Sequence, residues 1–585
     1  MHTNLSTDAG LAGNRLSPAT AYRFARGEEV TSSFGHPARL SRPLDWLVIA
    51  DHSDGISMIG DMLAGDPDVM AFEQAAKWSK GMTEGGQAAI DTKNDLVKTF
   101  SAGKVEPHLV AMYSPGSRKF KRVWEGVIAD AEDYNEPGRF STLIGFEWTA
   151  LVNGNNLHRV VIMRDGPMRA SQVVPMTTTP PQGSPDPRDL WKWMKNYEEK
   201  TGGEILAIPH NGNLSNGIMF PLAERWDGFK LDEAYATDRA RYEPLYETTQ
   251  VKGDGESHPY LSPDDEFADF ELWDLGNLDG TEVKTNNMLA GEYAREGLKR
   301  GLAIEGRLGA NPYKFGLIGS TDSHTSLATA GEDNFFGKNS VDEPSPERMS
   351  YALKKVGGTP LNSWQNSASG LTAVWATENT REAIFDAMLR KEVYATTGPR
   401  MTVRLFGGWD FEPQDINSRL LARIGYEKGV PMGSDLRRRP EGASAPSFLV
   451  YALRDPVGAN LDRVQIVKGW LDKDGKTHEK VYDVAWSGER SLEKDGKLPS
   501  VGNTVDVVNA TWSNTIGASE LGTLWTDPDF DPAERAFYYA RVLEIPTPRW
   551  TTYDAHRFGI DTPEGAPTSL QERAYSSPIW YGPQS

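Results

Sequence analysis

At 585 residues the chain is too long for one ordinary domain, and two or three domains with a sizeable core are expected. Its 82 acidic and 62 basic residues leave a formal charge of −20, which excludes a surface built to coat nucleic acid or to bind an anionic membrane. The absence of cysteine excludes disulfides, zinc-thiolate sites and thiol nucleophiles together, so any metal must sit on His, Asp, Glu or Asn.

The chain opens M-H-T-N-L-S-T-D, with His2 and Asp8 but no strand before them. Ser17 to Arg26 reads as a short helix, with Ser17 as N-cap and Pro18 at the first helical position. Asp45 to Asp54 is an apolar strand that runs into Asp51 and His52. Residues from about 60 to 130 read as an insertion, a lid over one face, and their basic cluster Arg118, Lys119, Lys121 and Arg122 as a solvated helix face. Arg139 to Thr149 is a strand that presents Glu147 near its end, and His158 follows an Asn-Gly turn and heads the run V-V-I-M.

A Pro-rich surface loop near 174 to 188 precedes a helix over Asp189 to Thr201 and a strand that ends in His210. A shorter extended run brings Glu247, Gln250, Lys252 and Glu256 to the edge of any site. A helix over about Asn287 to Glu305 leads to K-F-G-L-I-G-S-T-D-S-H, a buried strand that stops at Asp322 and His324. Asp-x-His at a strand end sets a hard carboxylate beside an imidazole, a common presentation to a divalent cation. Gly331 to Lys338 imitates a phosphate loop, but its spacing is one residue too long and Asn339 stands where Ser or Thr is required. From about 401 onward short strands alternate with Gly, Pro and Asp turns, with a hairpin signal at Asp472 to Lys476, the pattern of an all-β, sandwich-like module.

Alternating strands and helices over residues 1–400 give an α/β fold. Periodicity alone leaves closed barrel and open sheet both standing; ligand-type residues at the ends of several strands favour a barrel, whose strand ends share one mouth. The expected division is therefore a barrel over 1–400 and a β-rich accessory domain over 401–585.

The segments H-T-N-L-S-T-D, I-A-D-H-S-D, G-F-E-W, the isolated His158, I-P-H-N-G and S-T-D-S-H resemble, in order and spacing, the successive motifs of the PHP (polymerase and histidinol phosphatase) superfamily, in its large bacterial branch. The resemblance implies a distorted (β/α)7, TIM-like barrel with a trinuclear zinc, manganese or iron site that hydrolyses phosphoesters. By motif, His2, Glu147 and Asp322 would hold one metal. Glu147 would bridge to a second, completed by His158 and His210. Asp8, His52 and His324 would hold a third, with Asp51 orienting His52. The family opens with His-x-His after a first strand, whereas Met1 stands here at the middle position. That departure carries the expectation of an upstream segment ending in a strand and a histidine, with a secretion signal as one option before it.

The expected activity is hydrolysis of a small anionic phosphomonoester or phosphodiester by a metal-activated water at a di- or trinuclear site. Glu147 and Asp322 are its central carboxylates, and Arg400 and Lys252 are candidate cations for charge on the equatorial oxygens. Two other readings stand beside it: an amidohydrolase-like hydrolase of C–N or carboxylic ester bonds, and a binding protein with a degenerate site. The compartment and the oligomeric state are left open.

Overall fold

The computed structural model describes residues 1–84, 104–494 and 496–583, with 88, 91, 92, 95, 96 and 99 between the first two stretches. The expected insertion falls partly outside these residues. Its described helices Met58–Leu63, Glu73–Glu84 and Pro107–Met112 pack Met58, Met62, Trp78 and Leu109 into a small apolar cluster of their own. Among the described residues no helix is long and apolar enough to cross a membrane.

The first half contains two short helices, α1 (Thr7–Leu11) and α2 (Pro18–Ala25), and then strand β1 (Trp46–Ile49). Helix α3 (Arg118–Asp133) is capped by Ser117, whose hydroxyl accepts from Phe120 N at 3.0 Å. It buries Phe120, Trp124, Val127, Ile128 and Ala131 at helical spacing and leaves Arg118, Lys121 and Arg122 exposed, whereas Lys119 departs from the expected solvated face and pairs with Asp61 at 3.1 Å and Asp66 at 2.7 Å. Strand β2 (Ser141–Trp148) is buried at every position and leads to β3 (Arg159–Met163). Helix α4 (Pro187–Thr201) has Asp186 as N-cap and ends at Gly202, whose φ of 66° an L side chain rarely adopts. Strands β4 (Ile205–Pro209), β5 (Leu245–Gln250) and β6 (Gly253–Asp254), helix α5 (Ala294–Leu308) and strand β7 (Gly316–Gly319) follow, then β8 (Leu371–Val374), α6 (Arg381–Leu389) and β9 (Val393–Thr396).

These strands do not close into the expected (β/α)7 barrel. One sheet has the order β1-β2-β3-β4, and only its first pair is parallel; β3 runs antiparallel to both neighbours. A second sheet has the order β6-β5-β7, with β5 and β7 parallel. Among the described residues no ladder joins β4 to β5 or β7 to β1. The cause lies in the connection between β2 and β3. A parallel return needs a crossover of about a dozen residues or more, usually with a helix. Here the chain turns back through the small hairpin Leu151–Val152/Asn155–Asn156, with Asn153 and Gly154 at φ 52° and 80°.

The second half forms strands β10 (Thr402–Gly408), β11 (Gly429–Pro431), β12 (Ser447–Leu453), β13 (Leu461–Leu471), β14 (Thr477–Trp486), β15 (Glu520–Thr526) and β16 (Arg535–Glu544), helix α7 (Trp550–Phe558), and strands β17 (Arg573–Ser576) and β18 (Ile579–Tyr581). The expected hairpin joins β13 to β14, with Asp472 N bonded to Lys476 O at 2.9 Å. One sheet has the order β11-β10-β12-β15. The other runs β8-β9-β17-β16-β13-β14, with β18 also on β16. Val403, Leu405, Phe448 and Val450 from the first sheet meet Val464, Ile466, Ala540 and Val542 from the second in one apolar layer, a sandwich core. The second sheet contains β8 and β9, so it continues across residue 400 into the first half.

Candidate metal centre

Ligand-type side chains from six stretches of chain converge where the first-half strands end. His2 sits on an extended segment clasped on both sides: Ala50 N donates to Met1 O at 3.0 Å, and His2 N donates to Ser323 O at 2.8 Å. Asp8 lies in the first turn of α1. His52 follows β1, Glu147 is the penultimate residue of β2, His158 immediately precedes β3, and His210 immediately follows β4. Asp322 and His324 follow β7. The backbone turns sharply at two of these exits, with Asn211 at φ 49° and Asp322 at φ 45°. Asn and Asp tolerate that left-handed region better than other side chains.

Glu147 is the hub. His158 Nδ1 stands 2.8 Å and His210 Nε2 3.4 Å from its Oε1, while His2 Nε2 stands 3.0 Å from its Oε2. His2 Nε2 is also 2.9 Å from Asp322 Oδ1. Asp8 spans the other side, 3.1 Å from His52 Nε2 and 2.9 Å from His324 Nε2. Three buried groupings have ligand atoms close enough to share a cation: His2, Glu147 and Asp322; Glu147, His158 and His210; and His2, His52 and His324. The first two are the sets expected from the motifs. In the third, His2 joins His52 and His324, and Asp8 bridges the two imidazoles from a side chain half open to solvent.

The donor set fits a cation. Both oxygens of Glu147, Nε2 of His158 and both ring nitrogens of His210 are buried without a hydrogen bond of acceptable geometry, although they crowd one another. Buried polar atoms rarely stay unsatisfied, and a cation shared among lone pairs that face one another across about 3 Å would satisfy several at once. Partners behind the rings fix their orientation. His324 Nδ1 lies 2.8 Å from the Asp322 carbonyl oxygen, which can only accept, so Nδ1 carries the proton and Nε2 turns its lone pair toward the cluster. Thr149 Oγ1 lies 2.6 Å from His52 Nδ1, and Ser6 Oγ 2.9 Å from His2 Nδ1.

Burial raises the Glu147 carboxyl pKa, but the His210 and His52 rings overcome that effect and hold it well below the usual range. Burial pushes His158 down to about 4 and His324 down to about 3, leaving both rings neutral. Burial opposes a proton on His52, yet Asp8 and Glu147 raise it to about 9. Buried carboxylates and imidazoles that perturb one another in this way are typical of a functional site.

A family model described as "Protein of unknown function (DUF3604)" matches residues 1–583. The chain belongs to DUF3604. No curated protein and no solved structure matches it. The match spans both halves of this DUF3604 protein, in keeping with the sheet that crosses residue 400.

The remaining expected site residues of the DUF3604 chain divide into those that reach the centre and those that do not. Lys252 Nζ pairs with Asp322 Oδ2. Gln250 donates to the same oxygen at 2.9 Å and to Asn211 Oδ1 at 2.7 Å. Glu247 is buried close by with Oε1 unbonded, and burial raises its pKa. Arg400 is not brought to the centre: its guanidinium donates to the carbonyls of Pro43 and Arg42 at 2.7 and 2.8 Å. It lines a cavity of about 540 Å3 between β1 and β8 that none of the eight expected ligand residues lines. Glu256 leaves the site for Arg295, at 2.6 Å. Asp51 does not orient His52; it accepts from Thr3 N at 2.6 Å and from Ser6 Oγ at 3.0 Å, fastening the segment that carries His2. Motif and spacing do not mark Thr149, Asn211 or Ser6 as site residues, although each contacts a ligand-type side chain or its partner. Ser6 and Asn211 lie inside the segments H-T-N-L-S-T-D and I-P-H-N-G, which were the visible signals for them, and Thr149 closes the strand read over Arg139 to Thr149.

Proposed function

We propose that this chain is a metal-dependent hydrolase of phosphoesters that works at a di- or trinuclear site. The observation that carries the reading is the hub at Glu147, whose buried oxygens face three imidazoles without hydrogen bonds. The ordered motif resemblance supplies the reaction class.

Divalent cations at the three groupings would hold the non-ester oxygens of a phosphoryl group and make water a stronger nucleophile at neutral pH. Glu147 would serve two groupings at once, through Oε2 toward His2 and Oε1 toward His158 and His210. Gln250 and Lys252 both hold Asp322 Oδ2, which leaves Oδ1 turned toward His2. The carbonyl of Asp322 and the hydroxyls of Thr149 and Ser6 keep three rings from rotating. Zinc, manganese and iron all suit this oxygen and imidazole donor set.

The reading is tested by metal analysis of the purified chain, with a screen of phosphate mono-, di- and triesters against manganese and zinc. Bound divalent metal, and ester hydrolysis that a chelator removes and added metal restores, are the expected results. Glu147→Gln keeps the shape and removes the charge; it should lower metal content and reduce turnover on the order of a hundredfold in a chain that still folds. Wild-type metal content and turnover in that variant would end the bridging role.

A further inference from the structure

The two halves of the chain enclose a second cavity, of about 530 Å3, that none of the eight expected metal ligands lines. Its walls come from residues 266–272, from Trp364 and Gln365, and from the second-half residues around Arg549 and Arg573. Ion pairs between the halves fasten them. Arg549 grips both oxygens of Glu271 at 2.8 and 2.6 Å and donates to Trp364 O at 2.8 Å, and Arg463 of β13 holds Glu266 at 2.9 Å. Phe267, Phe270, Leu272 and Leu570 add apolar surface, so the cavity is a pre-formed pocket with a mixed lining.

One cation in these walls has no counter-charge. Arg573, the first residue of β17, is 3 % exposed, and its guanidinium lies 3.7 Å from the centre of the Phe270 ring. Its Nε donates to Gln571 O at 3.2 Å and its Nη1 to Phe267 O at 2.8 Å. Among the described residues Nη2 makes no hydrogen bond, and no carboxylate stands within ion-pair distance of the guanidinium. Nη2 is not sealed in protein either, so it opens on the cavity that Arg573 lines. Trp364 Nε1, Gln365 Nε2 and Ser569 Oγ, on the same walls, also make no hydrogen bond among the described residues. The acids of the lining are placed otherwise: Glu266 and Glu271 are paired, and Asp269 is exposed. Burial pushes the neighbouring Glu572 carboxyl well above its usual range and Asp254 up to about 7, so neither gives Arg573 a full carboxylate charge at neutral pH.

We propose that this cavity binds a small monocarboxylate with an apolar body, its carboxylate held by Arg573 and its body by the apolar wall. The site is separate from the metal centre and does not depend on how that centre is read. A buried guanidinium without a counter-charge is costly, and a carboxylate offsets that cost through a charge-assisted hydrogen bond. Free donors beside occupied acceptors favour a ligand that accepts. A single unpaired cation matches a single negative charge, whereas a phosphate dianion would set its second charge near Glu266 and Glu271. The volume lies in the range of small-molecule sites, roughly 300–1,000 Å3, and leaves room for more than a bare ion.

The test uses the full chain and a panel of aryl and straight-chain carboxylates, each beside its neutral amide, with inorganic phosphate as a further probe. Binding is measured by titration calorimetry and by the rise in unfolding midpoint that a ligand of the folded state produces. At least one carboxylate should bind, with its amide and phosphate at least about tenfold weaker. Arg573→Met should weaken that carboxylate by about tenfold or more. Arg573 also holds Phe267 O, so two variants that keep the arginine guard against a loss that is only structural. Ser569→Phe, which puts a ring into the cavity, should abolish binding, and Trp364→Phe, which removes only the Nε1 donor, should weaken it a few-fold, both with the ligand-free midpoint of wild type. A panel in which no carboxylate binds, or in which acid and amide bind alike, would overturn the proposal. So would wild-type affinity in Ser569→Phe, or in an Arg573→Met chain that unfolds at the wild-type midpoint.

Discussion

Glu147 and Asp254 are both buried carboxylates, and their surroundings push them in opposite directions. Imidazoles hold Glu147 ionised, whereas among the described residues no cation is bonded to Asp254, which accepts from Glu256 N at 2.9 Å and Tyr575 Oη at 3.2 Å. Burial, opposed by the Glu256 N–H and reinforced by the Glu256 charge, raises Asp254 to about 7. The unfolded chain would release that proton near pH 3.9. Between the two values the folded state binds more protons than the unfolded state, so stability is full below about pH 4 and falls as pH rises through about 7, by roughly 4 kcal/mol at most. Asp254→Asn supplies a permanently neutral side chain of the same shape. The drop in urea midpoint between pH 5 and pH 8 should therefore shrink relative to wild type. An identical drop in both would mean that Asp254 ionises as readily in the fold as out of it.

The short turns after the strands set the centre's geometry, and the one after β4 is closely packed. Gly212 follows His210 and Asn211, and its N–H donates to Tyr246 Oη at 3.0 Å. A Cβ at that position would stand 2.2 Å from the Glu292 carbonyl oxygen and 2.5 Å from Tyr246 Oη. Gly212→Ala should cost about 1–3 kcal/mol in urea unfolding and reduce metal content, because the strain is relieved only by moving His210. A variant with wild-type midpoint and metal content would show that the turn is soft. Five of the expected ligands, His52, Glu147, His210, Asp322 and His324, were legible because an apolar run that stops at His, Asp or Glu announces a strand end, whereas His2, Asp8 and His158 came only from the motif resemblance. Strand direction was legible at Asp472 to Lys476, read as a hairpin, and at Asn153-Gly154, a hairpin signal that argues for an antiparallel return and against a barrel crossover. The sheet neighbours of β9 were not legible, since they depend on contacts between residues far apart in the chain, which no local pattern encodes.

At the scale of the whole molecule, the division expected at 400 and 401 crosses a sheet and a buried charge network. Strand β9 pairs with β17, Tyr394 opposite Ser576, so residues 393–396 complete a sheet made otherwise largely by the second half. Arg295 of α5 bonds Glu256 at 2.6 Å and Asp265 at 2.8 Å, and Arg541 of β16 bonds the same Asp265 at 2.6 Å. Phe537, Tyr539, Tyr575 and Trp580 enter the same apolar cluster as Trp124, Trp148 and Trp191. Separating the halves would leave β17 with an open edge, strand those aromatics in water, and leave Asp265 and Glu256 buried in the first half without Arg541. Breaking one side of a buried pair costs about 3–5 kcal/mol. Fragments 1–400 and 401–585, expressed separately, should be insoluble or aggregate, and their co-expression should recover a soluble complex. The full chain should unfold in one transition followed alike by tryptophan fluorescence and circular dichroism. A soluble, monomeric 401–585 fragment with its own cooperative unfolding would show that the second half folds alone and that the sheet across residue 400 is only a docking contact.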